Sequence, residues 1–535
     1  MEKEITIEIK KPEVILLLGI LLVFLTLELQ VSMNSFINFG DEGYHTRMAQ
    51  YIYEEKEYPV FTPFEGSNLE REGFARPPLW NLLEAGFFLI FGLSETIVKF
   101  LTPFIAFLTG LAVFILVKKL FNQKVAFLAS IISVTVPSFA TYSILFYTDI
   151  LFTFFMSLFF LLFILAIRED SKKYWFLSGI FGALALLTKI PGLVVYLFVA
   201  LVFLYQLLKE KKFLTLFKKY FPLLLTIFLI PSTWILRNWY YFGSPCYNIP
   251  FIKIFDTSGC RIDKFQEKYQ FAGRVEQVGT EQSVYRIGIT SYLDFAYGPS
   301  YFVVLAFLCG LILLSSRKEM ISDILFISLI MLLAIFYIST GRAEDAARYT
   351  LGWVSIIALI SARWFEEIYN FMRRYQKYLA LVVFVFVVFL SYQNLTGKLD
   401  IMARVKQFSP TFFEACDWIK KNTNENALIS TIWCHRSVYN CQRSATPYMA
   451  DMALSKDLNY TLSVAKEHGI THLFIQKFSI DLQNQHLQEK YDAEFVRFLE
   501  NNPEYFKKIY ENGPSLQQCL QQGICDGNIV YEIVY

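Results

Sequence analysis

The sequence lacks a Gly-rich loop of the P-loop or dinucleotide type, a basic stripe, and any internal repeat or low-complexity tract. The first absence removes the usual nucleotide-phosphate cradles. The second removes a nucleic-acid footprint, so no nucleic-acid partner is expected. The third weighs against a transporter built from repeated halves. Its 8 cysteines make no CxxC…CxxC zinc spacing, and of its 5 histidines only His435 stands beside a cysteine. Charge of one sign is also missing: the net charge is +2, so orientation depends on where basic residues sit.

What the chain has is long apolar runs. Apolar residues make up 55% of its 535 residues, with 54 Phe and 32 Tyr suited to lipid-facing surfaces and interfacial belts. The run from Leu151 to Ile167 crosses most of a ~30 Å hydrocarbon layer, and Phe100 to Phe121 is comparable. Eleven spans follow, near 14–31, 95–118, 124–142, 147–167, 174–188, 190–208, 217–237, 296–315, 320–338, 349–366 and 376–393. The basic clusters at 118–124, 168–173, 209–213, 315–320 and 372–377 then share one side. The positive-inside rule makes that side cytoplasmic. The N-terminus is cytoplasmic as well, and the last span delivers the C-terminal tail outside. The first span has no clean small-residue cleavage site, so it reads as an uncleaved anchor.

Counting Pro77 to Gly92 as a span would reverse every later loop. That segment is short, begins Pro-Pro and contains Glu84, so it is expected to lie in the outer interface. The expected architecture is an α-helical polytopic membrane part over residues 1–398, with a large first outer loop at 32–94 and another at 240–294. Residues 399–535 are mixed polar, with a helix-like FFEACDWIKKN and strand-like ALISTIW, THLFIQ and NIVYEIVY. They are long enough for a small extracytoplasmic α/β domain.

Outside the cytoplasm, close cysteine pairs are candidate disulfides. Cys246/Cys260, Cys434/Cys441 and Cys519/Cys525 are such pairs; Cys309 falls in a span and Cys416 is left over. All of them unpaired is the alternative. Asn394-Leu-Thr and Asn459-Tyr-Thr are glycosylation sequons on the same outer side.

In this topology Arg76, Lys189, Arg237, Arg342 and Arg348 fall at the outer ends of apolar segments, with Asp41, Glu42 and Asp149 on the same face. Ionisable residues at membrane depth are costly and usually mark a site. Guanidinium groups match phosphate in geometry, so cations beside carboxylates at a lipid surface point to a phosphate-bearing lipid and acid/base chemistry. Asp41-Glu42-Gly-Tyr-His-Thr-Arg47 opens a helical pattern with Tyr44, Met48 and Tyr51 on one face. Asp41 is therefore either an N-cap, with Glu42 favoured by the helix dipole, or a carboxylate that takes a proton from an acceptor. The two roles are compatible. Arg342, beside Glu344 and Asp345, has a pairing alternative; Lys99 reads as a snorkelling residue, and snorkelling is an alternative for Arg47.

Six segments in register resemble the C-type (GT-C) integral-membrane glycosyltransferases, which include the protein O-mannosyltransferases and the bacterial aminoarabinose transferases. They are Asp41-Glu42; Arg76-Pro-Pro-Leu79; Tyr147-Thr148-Asp149; Leu186-Leu-Thr-Lys-Ile-Pro-Gly192; Pro231-Ser-Thr-Trp-Ile-Leu-Arg-Asn238 with Phe242-Gly-Ser-Pro245; and Arg348-Tyr349. The resemblance implies a GT-C fold with interfacial juxtamembrane helices and a sugar donor on a polyprenyl (dolichyl-type) phosphate. It also implies inverting single displacement at the outer face, onto a glycan, lipid or protein acceptor. Asp41, Glu42 and Asp149 become the catalytic candidates, and Arg76, Lys189, Arg237 and Arg348 the donor-phosphate ligands. A monophosphate lipid donor needs no metal to hold a diphosphate, so neither a metal nor a cofactor is expected.

One departure matters. The oligosaccharyltransferases of this architecture carry Trp-Trp-Asp-Tyr-Gly in the outer domain, whereas the comparable stretch here is Ile432-Trp-Cys-His-Arg-Ser-Val-Tyr439. En bloc glycan transfer to asparagine is disfavoured accordingly. A transporter or flippase for a lipid-linked or anionic substrate is the alternative function, and a non-catalytic anchor displaying the outer domain is the structural one.

Overall fold

The structure, a computed structural model, describes residues 12–37, 41–64, 76–242, 351–375 and most of 410–535, with isolated positions between 323 and 400 that include Arg348. Outer-loop residues 243–294, Arg342, Asn394, Cys246, Cys260, Cys309, and most of the expected spans at 296–315, 320–338 and 376–393 lie outside the described residues.

The membrane part is helical: α1 (Pro12–Met33), α2 (Glu42–Glu55), α3 (Leu79–Phe91), α4 (Glu95–Leu120), α5 (Gln123–Thr135), α6 (Pro137–Tyr142), α7 (Thr148–Glu169), α8 (Lys172–Thr188), α9 (Val194–Glu210), α10 (Phe213–Phe242) and α11 (Val354–Tyr375). Among the described residues, five helical segments are long and apolar enough to cross a bilayer, from Val14, Glu95, Thr148, Ile190 and Phe213. The protein is thus multi-pass. The most apolar, α7, is 83% buried within the protein: it is the central post, with α4 and α8 against it. Helices α8 and α10 pack so closely that a Cβ on Gly179 would lie 2.6 Å from the Leu223 carbonyl oxygen. Only glycine permits that approach.

The sequence reads 124–142 as one span, but the helix breaks at Val136, whose extended ψ of 128° precedes Pro137. Proline clashes with an α-helical residue before it, so α5 ends and α6 begins afresh. Helix α3, at about 20 Å for 13 residues, is too short to cross. One face buries Trp80, Asn81, Glu84 and Phe88, while Leu89, Ile90 and Phe91 stay exposed. Burial pushes the Glu84 carboxyl well above its usual range.

The C-terminal part contains α12 (Pro410–Asn422), β1 (Leu428–Ser430), α13 (Cys434–Asn440), β2 (Ser444–Thr446), α14 (Met449–Ser455), α15 (Leu458–His468), β3 (His472–Gln476), β4 (Ile480–Asp481), β5 (Tyr491–Asp492), α16 (Ala493–Glu500), β6 (Phe506–Asn512) and β7 (Asn528–Ile533). Five strands form a sheet in the order β2-β1-β3-β7-β6, parallel across β2-β1-β3 and antiparallel across β3-β7-β6. Every residue of β3 is buried. Phe474 faces α12, packing with Phe412 and Ile419, and Leu473 and Ile475 face Met452 and Phe495 on the other side. Strand β4 pairs with β5 separately.

This part does not hang clear of the membrane part. Val438 and Cys434 of α13 pack with Tyr44 and Met48 of α2, Phe88 of α3 and Phe146. The Ala445 N–H donates to the Phe64 carbonyl (3.1 Å), and Asn440 Nδ2 to the Ile37 carbonyl (3.1 Å). The stretch that departs from the oligosaccharyltransferase motif thus becomes a packing helix on α2.

The cysteine pairing differs from the sequence reading. Cys416 of α12 bonds Cys441, and Cys434 is a buried thiol. Sequence proximity favours Cys434 with Cys441, but α13 puts Cys434 on the face toward α2 while Cys441 joins the α12 core. Cys519 is also disulfide-bonded, and Cys525, its expected partner, lies outside the described residues. Replacing Cys416 and Cys441 by alanine is expected to destabilise the C-terminal part by about 3.5 kcal/mol, the loop-closure contribution for a separation of 25 residues. Thermal unfolding with and without reductant checks this: the parent should shift on reduction more than the double variant.

Candidate functional site

Asp149 lies in the first turn of α7, fully buried, and two cations reach it. Lys189 Nζ stands 2.5 Å from Oδ1, and Arg348 places Nη2 3.1 Å from Oδ2 and Nε 3.4 Å from Oδ1. A fully buried carboxylate needs such partners. Lys189 is delivered by the end of α8: it leaves the helix in an extended conformation, and Ile190–Leu193 then make a tight 3-10 turn. Gly192 permits that hairpin, because a Cβ there would fall 2.5 Å from the backbone of Leu186.

Asp41 occupies the N-cap position of α2, yet its side chain makes no capping hydrogen bond; its carbonyl accepts from the His45 N–H at 3.0 Å. Glu42 is fully buried, and Oε1 accepts the Phe146 N–H at 3.1 Å. Glu42 therefore ties α2 to the segment preceding α7. Tyr147 joins the two carboxylate groups: its hydroxyl accepts the Asp41 N–H at 3.3 Å, and its ring lies under the Arg348 guanidinium at 5.1 Å. Burial, with the nearby charges of Glu42 and Asp41, pushes the Tyr147 phenol well up against the opposing pull of Arg348, so the phenol keeps its proton.

Arg76 and Arg237 form a second group around tyrosines. The Arg76 guanidinium lies over the Tyr44 ring at 4.1 Å, and Arg237 over the Tyr58 ring at 4.9 Å. Tyr58 also donates its hydroxyl to the Arg76 carbonyl at 3.3 Å, which links the pair. Burial raises the Tyr58 phenol, with Arg237 opposing. Arg237 Nη2 donates to the Pro59 carbonyl at 2.6 Å and Nη1 to Asn238 Oδ1 at 2.9 Å. Arginine stacked on an aromatic face keeps its in-plane donors directed past the ring edge.

The four donor-phosphate candidates thus stand in two pairs, Lys189 with Arg348 and Arg76 with Arg237. They are joined through α2, whose start carries Asp41 and Glu42 for the first pair and Tyr44 for the second. Sequence reading missed the tyrosine platform of Tyr44, Tyr58 and Tyr147. Tyr147 had a signal, since it opens the Tyr147-Thr148-Asp149 segment; Tyr58 had none. Lys99 forms an ion pair with Glu95 at 2.8 Å and Arg47 with Glu54 at 3.6 Å. Among the described residues, no three His, Cys, Asp or Glu side chains converge where a metal ion could be held.

Residues 75–236 match the family described as dolichyl-phosphate-mannose-protein mannosyltransferase, a stretch that contains Arg76, Asp149 and Lys189. No curated protein matches the chain in sequence. In fold, the chain is similar to the oligosaccharyltransferase of Archaeoglobus fulgidus in its apo form: TM-score 0.63, 13% identity, 95% of this chain and 81% of that one covered. The same archaeal enzyme, AglB, in complex with an inhibitory peptide and a dolichol-phosphate aligns at TM-score 0.58 and 12% identity, covering 96% and 74%. ArnT from Cupriavidus metallidurans bound to undecaprenyl phosphate aligns at 0.61 and 10% identity, covering 97% and 98%. The chain has the fold of the C-type integral-membrane glycosyltransferases, and over residues 75–236 it resembles their mannosyltransferase branch in sequence as well.

Proposed function

We propose that this protein transfers a sugar from a polyprenyl (dolichyl-type) phosphate to a glycan, lipid or protein acceptor at the outer face of the membrane. The reading rests above all on one observation: two cations, Lys189 and Arg348, held on a buried carboxylate beside Asp41. Asp149 takes one N–H from Lys189 and two from Arg348. An ammonium carries three donors and a guanidinium five, which is the donor chemistry a phosphate anion calls for. Two structures of the same fold hold polyprenyl phosphates, a dolichol-phosphate in AglB and undecaprenyl phosphate in ArnT, which supports that donor class.

The chemistry is a single inverting displacement. The acceptor oxygen or nitrogen attacks the sugar's anomeric carbon, its proton passes to the Asp41 carboxylate, and the bond from that carbon to the phosphate oxygen breaks. The polyprenyl phosphate leaves with one more negative charge than it had in the donor. Cations aimed at that oxygen stabilise the transition state more than the ground state. In this reading Arg76 and Arg237 hold the phosphate from the tyrosine side, Lys189 and Arg348 from the Asp149 side, and Glu42 fixes the start of α2. The disulfide of the C-terminal part, docked against the loop that bears Asp41, supports an extracytoplasmic placement of both, with the N-terminus cytoplasmic.

The test is transfer of radiolabelled sugar from polyprenyl-phosphate donors by the purified, reconstituted protein, with identification of the labelled product. Transfer from a soluble nucleotide sugar alone would overturn the donor assignment. Arg76→Ala and Arg237→Ala should each weaken affinity for polyprenyl phosphate about tenfold to about 150-fold, the range for a charge-assisted contact of about 1.5–3 kcal/mol. Arg76→Lys should recover only part, since a point charge replaces a fork. Unaltered affinity in correctly folded variants would end the cradle.

A further inference from the structure

We propose that Glu28, a carboxyl group inside the first membrane helix, is a positioning residue that clamps the Ser143–Tyr147 segment together with Glu42. The consequence for transfer rests on the function proposed above; the clamp itself does not.

Glu28 belongs to a span of mean hydropathy 2.6, yet it is only 2% exposed. An acid at membrane depth that faces the helix bundle is retained at a cost and is by default functional. Its Oε1 stands 2.8 Å from Ser143 Oγ. Ser143 opens a segment with no regular structure between α6 and α7, and all five of its residues are at most 5% exposed. Buried irregular backbone must find partners for its polar groups. Here a carboxyl group takes one of them, the N–H of the fourth residue, Phe146, on Glu42, and a second carboxyl, Glu28, holds the first residue by its side chain, the Ser143 hydroxyl. The fifth residue is Tyr147, and Asp149 follows two positions later. The clamp therefore fixes the two groups that orient Arg348 and touch Asp41. Misplacement by about 1 Å, even from a residue remote from the chemistry, can cost a hundredfold in rate.

The Ser143 hydroxyl lies 2.8 Å from Glu28 Oε1 and 2.9 Å from the Ala140 carbonyl oxygen. It has one hydrogen for two oxygens, so a proton on Glu28 completes the arrangement. A glutamine amide would complete it too, and an alanine would not.

The experiment compares Glu28→Ala, Glu28→Gln, Ser143→Ala and the double Glu28→Ala/Ser143→Ala variant as full-length purified protein. Glu28→Ala should lower kcat at least tenfold with donor KM within about threefold, the pattern of a lost transition-state interaction. Glu28→Gln should restore kcat to within threefold of the parent. The Glu28→Ala and Ser143→Ala losses in thermal stability should be non-additive, as for residues in direct contact. An unchanged kcat in folded Glu28→Ala, a Glu28→Gln variant as slow as Glu28→Ala, or additive stability losses would each overturn the clamp. Were the parent inactive with every polyprenyl-phosphate sugar, the functional reading would fall, while the stability cycle would still decide the clamp.

Discussion

Asp41→Asn is expected to lower turnover at least about a hundredfold, the loss typical of a general base, while folding and affinity for polyprenyl phosphate stay near the parent's. The reason lies in how the two adjacent acids are used. Glu42 is fully buried and committed to the Phe146 N–H, so its oxygen holds structure. Asp41 is partly exposed at the mouth of α2, and its side chain is not spent on capping that helix. Its backbone N–H donates to the hydroxyl of Tyr147, the same tyrosine whose ring lies under Arg348. An asparagine keeps shape and polarity but has no lone-pair basicity at neutral pH. Glu42→Gln retains an acceptor oxygen for Phe146 and should be much milder than Glu42→Ala. Near-normal turnover in Asp41→Asn together with a dead Glu42→Gln would exchange the two roles.

Much of the fold was legible because apolar runs and helix breakers are local signals. The helices around 14–31, 95–118, 147–167 and 190–208 fall where the runs predict them, and so do α12, β1, β3 and β7. Pro-Pro at the start and Glu84 in the middle marked α3 as an interfacial piece, and its 13 residues fit that reading. The break at Val136 was legible too, from Pro137, but the apolar character of 124–142 outweighed it. What local signals could not carry was pairing at a distance. Nothing near Cys416 announces Cys441, because only the packing of α12 against the sheet brings them together. The same limit applied at the site. The ionisable residues could be placed on one side of the membrane from charge asymmetry alone. That Lys189 and Arg348 would share Asp149, while Arg76 and Arg237 would stack on tyrosines, depends on contacts between residues up to 199 positions apart. Glu28 did carry a signal: a carboxyl in an otherwise apolar span has few reasons to be there other than a partner.

Asp149→Asn tests the cation pair from the opposite direction. In the parent, Asp149 balances Lys189 and Arg348 in a buried place. Removing one member of such a group leaves uncompensated charge and typically costs about 3–5 kcal/mol, so the variant should unfold at a lower temperature. A lipid phosphate supplies the missing negative charge. Added polyprenyl phosphate should therefore raise the unfolding temperature of Asp149→Asn by more than it raises the parent's, because a ligand stabilises in proportion to its preference for the folded state. Turnover should nonetheless fall at least about a hundredfold, since cations no longer anchored to α7 do not aim at the leaving oxygen as the bond breaks. Stronger ligand stabilisation with weaker catalysis is a combination that a purely structural ion pair does not produce. If Lys189 and Arg348 serve only to neutralise Asp149, polyprenyl phosphate will stabilise parent and variant alike, and the Asp149 side of the phosphate cradle will have to be abandoned.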